Sequence, residues 1–217
     1  MIDAVSVLED YLGALRVGDR RRAFAIVDEA RRQRLGIIDL YLEILQPALR
    51  EIGRLWQENE ITVAEEHLAT AISQILMARV YTEEMQRVTT SRERTVIAAC
   101  SETERHEVGL RMICDVLERD GWNVSYLGAS VPSESLADLV REKRPDVLLL
   151  SASIAPHLPQ LRATIEQVRG AAREASPYVL VGGRPFLNDP DLARRLGADA
   201  TASGARVALD DLRQRFG

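Results

Sequence analysis

The chain has few residues that could build a metal or redox centre unaided: its 217 residues include two cysteines and three histidines. Cys100 and Cys114 lack C-x-x-C spacing and the further partners of a zinc site, so they read as reduced core residues. Basic charge is not in excess either. Lys and Arg number 28 against 33 Asp and Glu, a net charge of -5, whereas binding to nucleic-acid phosphates needs a basic surface. The opening MIDAVSVLEDYL has neither the basic nor the apolar half of a signal peptide, and no apolar run approaches the roughly 18 residues of a membrane span. A cytoplasmic protein without membrane or direct DNA contact is expected. Internal repeats and low-complexity segments are missing as well. The 46% hydrophobic content allows a proper core, and the length suits two small domains.

The first domain, 1–86, reads as four helices. Ile2, Val5, Leu8, Leu12 and Leu15 recur at three- and four-residue steps, one face of a helix that Gly18 and Asp19 end. A second helix, 20–35, turns Ala23, Phe24, Ile26, Val27 and Ala30 inward and its arginines, Arg31 among them, to water, with Gly36 as its stop. The third, 38–57, carries Pro47 in its interior, where a missing N–H and a ring clash predict a kink. Thr62 and Glu65 match a capping box that starts the fourth helix near Val63, and the apolar pattern continues through Leu68, Ala71, Ile72, Ile75, Leu76 and Val80 to about Met85. Residues 87–94 are a polar linker.

Beyond the linker the period changes. Strand-like runs at 95–101, 124–127, 147–153, 178–182 and 198–202 alternate with helical stretches at 107–120, 133–143, 158–174, 190–196 and 206–215. That alternation predicts a doubly wound, five-stranded parallel α/β domain, Rossmann- or flavodoxin-like, over 95–217. Ligands of such sheets sit beyond the carboxyl ends of the strands. His106 stands there, in the loop after the first strand.

That loop is no dinucleotide fingerprint, because Ser101, Thr103 and Arg105 occupy it where glycines are required. It reads Glu104-x-His106-x-x-Gly109: a carboxylate two residues before an imidazole, then a glycine that allows close approach where the helix begins. A carboxylate on one ring N–H fixes the tautomer and raises the basicity of the other nitrogen, as around metal-bound histidines. One histidine cannot hold a zinc ion, so the remaining ligands must come from a cofactor that brings its own metal. His157, after the third strand, matches no motif and reads as surface at a helix start.

These residues resemble the cobalamin-binding domains shared by methionine synthase, corrinoid methyltransferase proteins and cobalamin photoreceptors, which carry D-x-H-x-x-G, then S-x-L, then G-G. The matching stretches are Glu104-x-His106-x-x-Gly109, Ser151-Ala152-Ser153 and Gly182-Gly183, with Glu104 in place of Asp and Ser153 in place of Leu. The resemblance implies that His106 takes the place of the cofactor's own base below cobalt, that Ser151 contacts that displaced base, and that the glycines make room for the nucleotide tail. It also implies that the four-helix domain caps the corrin. Trp56, followed after nine residues by Glu66-His67, is similar to the W-x9-E-H signature of adenosylcobalamin photoreceptors, which implies an adenosyl pocket. Gln57 stands where some members carry a second histidine.

The function so implied is a light sensor that binds adenosylcobalamin with His106 on cobalt and is switched when light cleaves the cobalt–carbon bond. Its output would be a protein partner or homo-oligomer, since the sequence shows no DNA-reading domain. Such a protein is a sensor rather than an enzyme. The alternatives are a corrinoid methyl carrier, the subunit of a methyltransferase system, and a non-photic cobalamin or tetrapyrrole sensor, with a second pigment such as a bilin left open.

Overall fold

A computed structural model describes residues 3–88, 91–189 and 191–217. The chain divides into two compact units, 1–87 and 88–217. The expectations that fall on Ile2 in the first helix, on Thr89 and Thr90 in the linker and on Pro190 at a helix start lie outside the described residues.

The first unit is helical. Asp3 caps α1 (Ala4–Arg16), whose side chain accepts from the Val5 N–H, and Asp19 caps α2 (Arg20–Arg32) on the Arg22 N–H. Helix α3 runs from Ile37–Asp39 through a π-helical turn, Leu40–Leu45, into Gln46–Gln57. The capping box is present, and α4 (Val63–Met85) starts where it directs. The strain expected at Pro47 is taken up by the π turn just before it, where the Gln46 N–H reaches back to Tyr41 O. A wider turn gives the proline ring room and asks nothing of its missing N–H.

Several inward faces differ from the pattern. Val5 on α1 and Leu68, Ala71 and Ile75 on α4 are exposed, and Phe24 and Ile26 are only half-buried. The buried positions are Tyr11, Ala14 and Leu15 on α1 and Ala69, Ile72, Ser73, Leu76, Met77, Val80 and Glu84 on α4. Polar pairs explain the shift. Tyr11 Oη and Ser73 Oγ lie 2.9 Å apart in the core, where burial pushes the phenol up to about 12. Arg31, expected in water, is nearly buried and ion-paired with Glu84. Gly36 is not the stop of α2. Arg34 takes the left-handed turn (φ 72°), and Gly36 instead precedes the next helix.

The second unit is a parallel sheet in the order β2-β1-β3-β4-β5, built from β1 (Thr95–Cys100), β2 (Asn123–Gly128), β3 (Val147–Ser151), β4 (Tyr178–Gly182) and β5 (Ala200–Ala202). Its helices are α5 (Val108–Arg119), α6 (Ser133–Lys143), α7 (Leu158–Ala172), the single turn α8 (Leu192–Arg195) and α9 (Ala205–Phe216). Ile97, Ala99, Leu148, Leu150, Val179 and Val181 pack in one cluster with Leu136 and Val140 of α6 and Leu161 and Ile165 of α7. The alternate residues Val96, Ala98, Val147, Leu149 and Leu180 are buried too, so both faces are covered and the strands read as unbroken apolar runs. Cys100 and Cys114 are free and buried. The chain connects β1 to β2 on one side and then crosses to β3 on the other, so the switch point lies between β1 and β3. The loop carrying His106 emerges there.

Candidate cofactor site

Parallel pairing sets the floor of the site. Cys100 pairs with Ser151, Ser151 with Gly182 and Gly182 with Ala202, so Ser151 and Gly182 share one transverse row with the last residue of β1. Main-chain bonds continue the row into the loops: the Ser101 N–H donates to Ser151 O at 3.1 Å and the Ala152 N–H to Gly182 O at 3.0 Å. The β1–α5 loop is itself held by Glu104 N–H to Ser101 O at 2.8 Å and by Ser130 N–H, from the loop after β2, to Glu104 O at 2.9 Å. Three loops therefore converge on Glu104.

The Glu104 side chain is fully buried. Oε1 accepts from the His106 backbone N–H at 2.8 Å and from His106 Nδ1 at 2.5 Å. Oε2 accepts from the Ser153 N–H at 2.5 Å and from His157 Nδ1 at 3.0 Å. Burial alone raises the carboxyl pKa, but the bonds from His106, Ser153 and His157 outweigh it and bring it down from 4.5 to about 2. An ionised carboxylate can only accept, so both imidazoles carry their proton on Nδ1 and, when neutral, present Nε2 as the lone-pair nitrogen. The His106 side chain is 63% exposed, whereas that of His157 is only 18% exposed. The Ser153 contact is made by its backbone.

These residues fit a cofactor that carries its own cobalt. Among the described residues no group of three or more His, Cys, Asp or Glu could hold a bare metal ion, yet His106 offers one imidazole nitrogen, a donor that could hold a metal the cofactor itself brings. A Cβ added at Gly109, at the start of α5, would meet nothing within 4 Å, which leaves open room beside the histidine loop. At this end of the sheet Ser101 Oγ and Thr201 Oγ1 are buried without a hydrogen-bond partner. Gly183 has a different reason for being glycine. Its φ is +127°, and a Cβ there would lie 1.9 Å from Ala152 O, so the backbone itself forbids a side chain whatever the ligand. Gly182 has no such φ, and its Cβ would lie 3.2 Å from Ala202 O.

In the helical unit, Trp56 lies one residue before the end of α3 and is 43% exposed. His67 Nδ1 lies 2.5 Å from Glu66 Oε2 in the second turn of α4, Thr70 Oγ1 donates to Glu66 Oε1 at 2.9 Å, and the His67 side chain is 75% exposed. The connection between Gln57 and Val63 is short, so both motif halves belong to the same helix junction. Sequence reasoning missed His157, which the fold turns toward Glu104 and leaves only partly exposed. The available signal was its position: like His106, it follows a strand at the carboxyl edge of the sheet.

A family described as the B12 binding domain matches residues 94–212, and a second of the same description matches residues 7–81. The chain is 31% identical over 188 residues to the HTH-type transcriptional repressor CarH of Myxococcus xanthus, a match that covers 87% of this chain and 61% of the repressor. It is 21% identical over 203 residues to dimethylamine corrinoid protein 1 of Methanosarcina acetivorans, covering 94% of each. The solved monomethylamine corrinoid protein of Methanosarcina barkeri superposes with a TM-score of 0.83 at 17% identity, covering 97% of this chain and 99% of that one. That likeness identifies the fold: a helical unit followed by a Rossmann-like domain.

Proposed function

Since the chain belongs to the B12-binding-domain family and is a cobalamin-binding protein, we propose that it is a light sensor which holds adenosylcobalamin and signals through a protein partner or a second copy of itself. The observation that carries this reading is Trp56, a large aromatic left 43% exposed where α3 gives way to the Glu66-His67 pair of α4. An exposed tryptophan at the same helix junction as two hydrogen-bonding side chains suits a planar, polar-edged adenine. Adenosylcobalamin supplies a cobalt–carbon bond that light breaks. On this reading His106 ligates cobalt through Nε2 and Glu104 fixes its ring, with Ser151, Ser153, Gly109, Gly182 and Gly183 forming the surroundings of the displaced base and tail. Trp56, Glu66 and His67 serve the adenosyl group. The net charge of -5 gives these 217 residues no basic excess for DNA phosphates, so their own part in the output is read as protein contact.

A second reading, a corrinoid methyl carrier, is favoured by the match to a corrinoid protein over 94% of both chains. One experiment separates the two. Protein loaded in the dark with adenosylcobalamin should change its absorption spectrum and hydrodynamic size lastingly after green light, and should bind the adenosyl form more tightly than the methyl form. Equal affinity and no response to light would favour the carrier.

A further inference from the structure

We propose that His157 is a positioning residue for the cobalt ligand, acting through Glu104. The inference rests on the reading of His106 as that ligand. Glu104 has a flexible side chain whose last torsion is broad, so a carboxylate held only through Oε1 would pivot and carry the His106 ring with it. Oε2 prevents this. It is held from outside the β1–α5 loop by two donors on the segment after β3, the Ser153 N–H at 2.5 Å and His157 Nδ1 at 3.0 Å. The two donors differ in kind. Ser153 binds through backbone that any residue would supply, whereas the His157 bond depends on its side chain, delivered from 53 residues along the chain.

The geometry of His157 suits a fixed strut. It ends a short 3-10 turn, 155–157, in which the His157 N–H bonds to Ile154 O at 3.1 Å, and it directly precedes α7. Its side chain is 18% exposed, while that of His106 is 63% exposed. One imidazole is turned into the fold and the other outward, with a single carboxylate between them. The segment that carries Ser151 and Ser153 is thereby tied to the orientation of the ligand's ring.

The test compares wild type with His157→Ala, His157→Asn and His106→Ala. Asparagine keeps an N–H donor at the place of Nδ1, and alanine does not. In cobalamin-free protein with labelled histidine, NMR should show the His106 Nδ1–H signal shifted or broadened in His157→Ala and restored in His157→Asn. In protein loaded with cobalamin, His157→Ala should move the visible spectrum toward that of His106→Ala and weaken affinity about 10-fold, the scale on which such supporting partners act. A merely structural role would lower the melting temperature and leave the His106 signal in place, which would overturn the inference. If His106→Ala changes the spectrum and His157→Ala does not, only this inference falls; if His106→Ala changes nothing, the ligand reading falls with it. Should the alanine variant fail to fold, His157→Gln, which moves the donor away from the Nδ1 position, takes its place, and wild-type behaviour in it overturns the inference.

Discussion

Replacing Glu104 by glutamine should cost the protein about 3 kcal/mol at neutral pH, a figure reached in two ways. The carboxyl titrates at about 2 rather than 4.5, and a displacement of that size is worth about 3 kcal/mol at roughly 1.4 kcal/mol per pH unit. The other route counts donors. Each carboxylate oxygen accepts one backbone N–H and one imidazole N–H, so an amide NH2 at either position leaves a part-buried backbone donor facing another donor, at about 1–3 kcal/mol. In a chain of this size 3 kcal/mol corresponds to about 6–12 °C in melting temperature. The dependence on pH is the sharper assay. Because the folded value lies below the unfolded one, the carboxylate's contribution is complete above about pH 4.5 and is lost as pH falls through about 2. Glutamine has no such titration. Denaturation followed by circular dichroism should therefore show the gap between wild type and Glu104→Gln narrowing by about 3 kcal/mol between pH 5 and pH 2. A gap below about 1 kcal/mol at pH 7, or one that stays constant with pH, would refute the reasoning.

Gly109→Ala should raise the melting temperature of cobalamin-free protein, by up to about 1 kcal/mol in stability, because its Cβ meets nothing within 4 Å. The same change should weaken cobalamin binding; unchanged affinity by titration would remove Gly109 from the site. Trp56→Ala should lower the stability of the free protein by about 1–3 kcal/mol, because more than half of the side chain is out of water. It should weaken adenosylcobalamin about 2- to 10-fold, on the scale of one aromatic contact, and leave methylcobalamin nearly unaffected; equal losses for both would count against an adenosyl pocket.

The sheet unit was legible because its strands are buried on both faces and announce themselves as runs such as VLLLS of β3 and YVLVG of β4. Caps were legible for the same local reason: Thr62 and Glu65 lie three residues apart and bond each other reciprocally. The helical faces were not. On α4 an outer row of Ala64, Leu68, Ala71 and Ile75 repeats at helical spacing as well as the buried row of Ala69, Ile72, Leu76 and Val80, so periodicity alone cannot choose between them. What chooses is the Tyr11–Ser73 bond and the Arg31–Glu84 pair. Each joins residues more than fifty apart in the chain, and polar residues at core positions carry no apolar signal.

The site divides along the same line. Glu104 and His106 are two residues apart, and their contact could be anticipated from spacing. His157 comes to the same carboxylate only because β1 and β3 are neighbours in the sheet. Gly183 shows the opposite hazard: a glycine near a ligand site suggests room for the ligand, yet its φ and the nearness of Ala152 O already require glycine. A Gly183 variant that fails to bind would therefore say nothing about the nucleotide tail, because the end of β3 would be displaced first. Gly182 is the more informative position. Its φ makes no demand for glycine, it lies in register with Ser151, and an alanine there would need the Ala202 carbonyl to give by a few tenths of an ångström. Loss of cobalamin binding by a folded Gly182→Ala would thus report on the ligand itself.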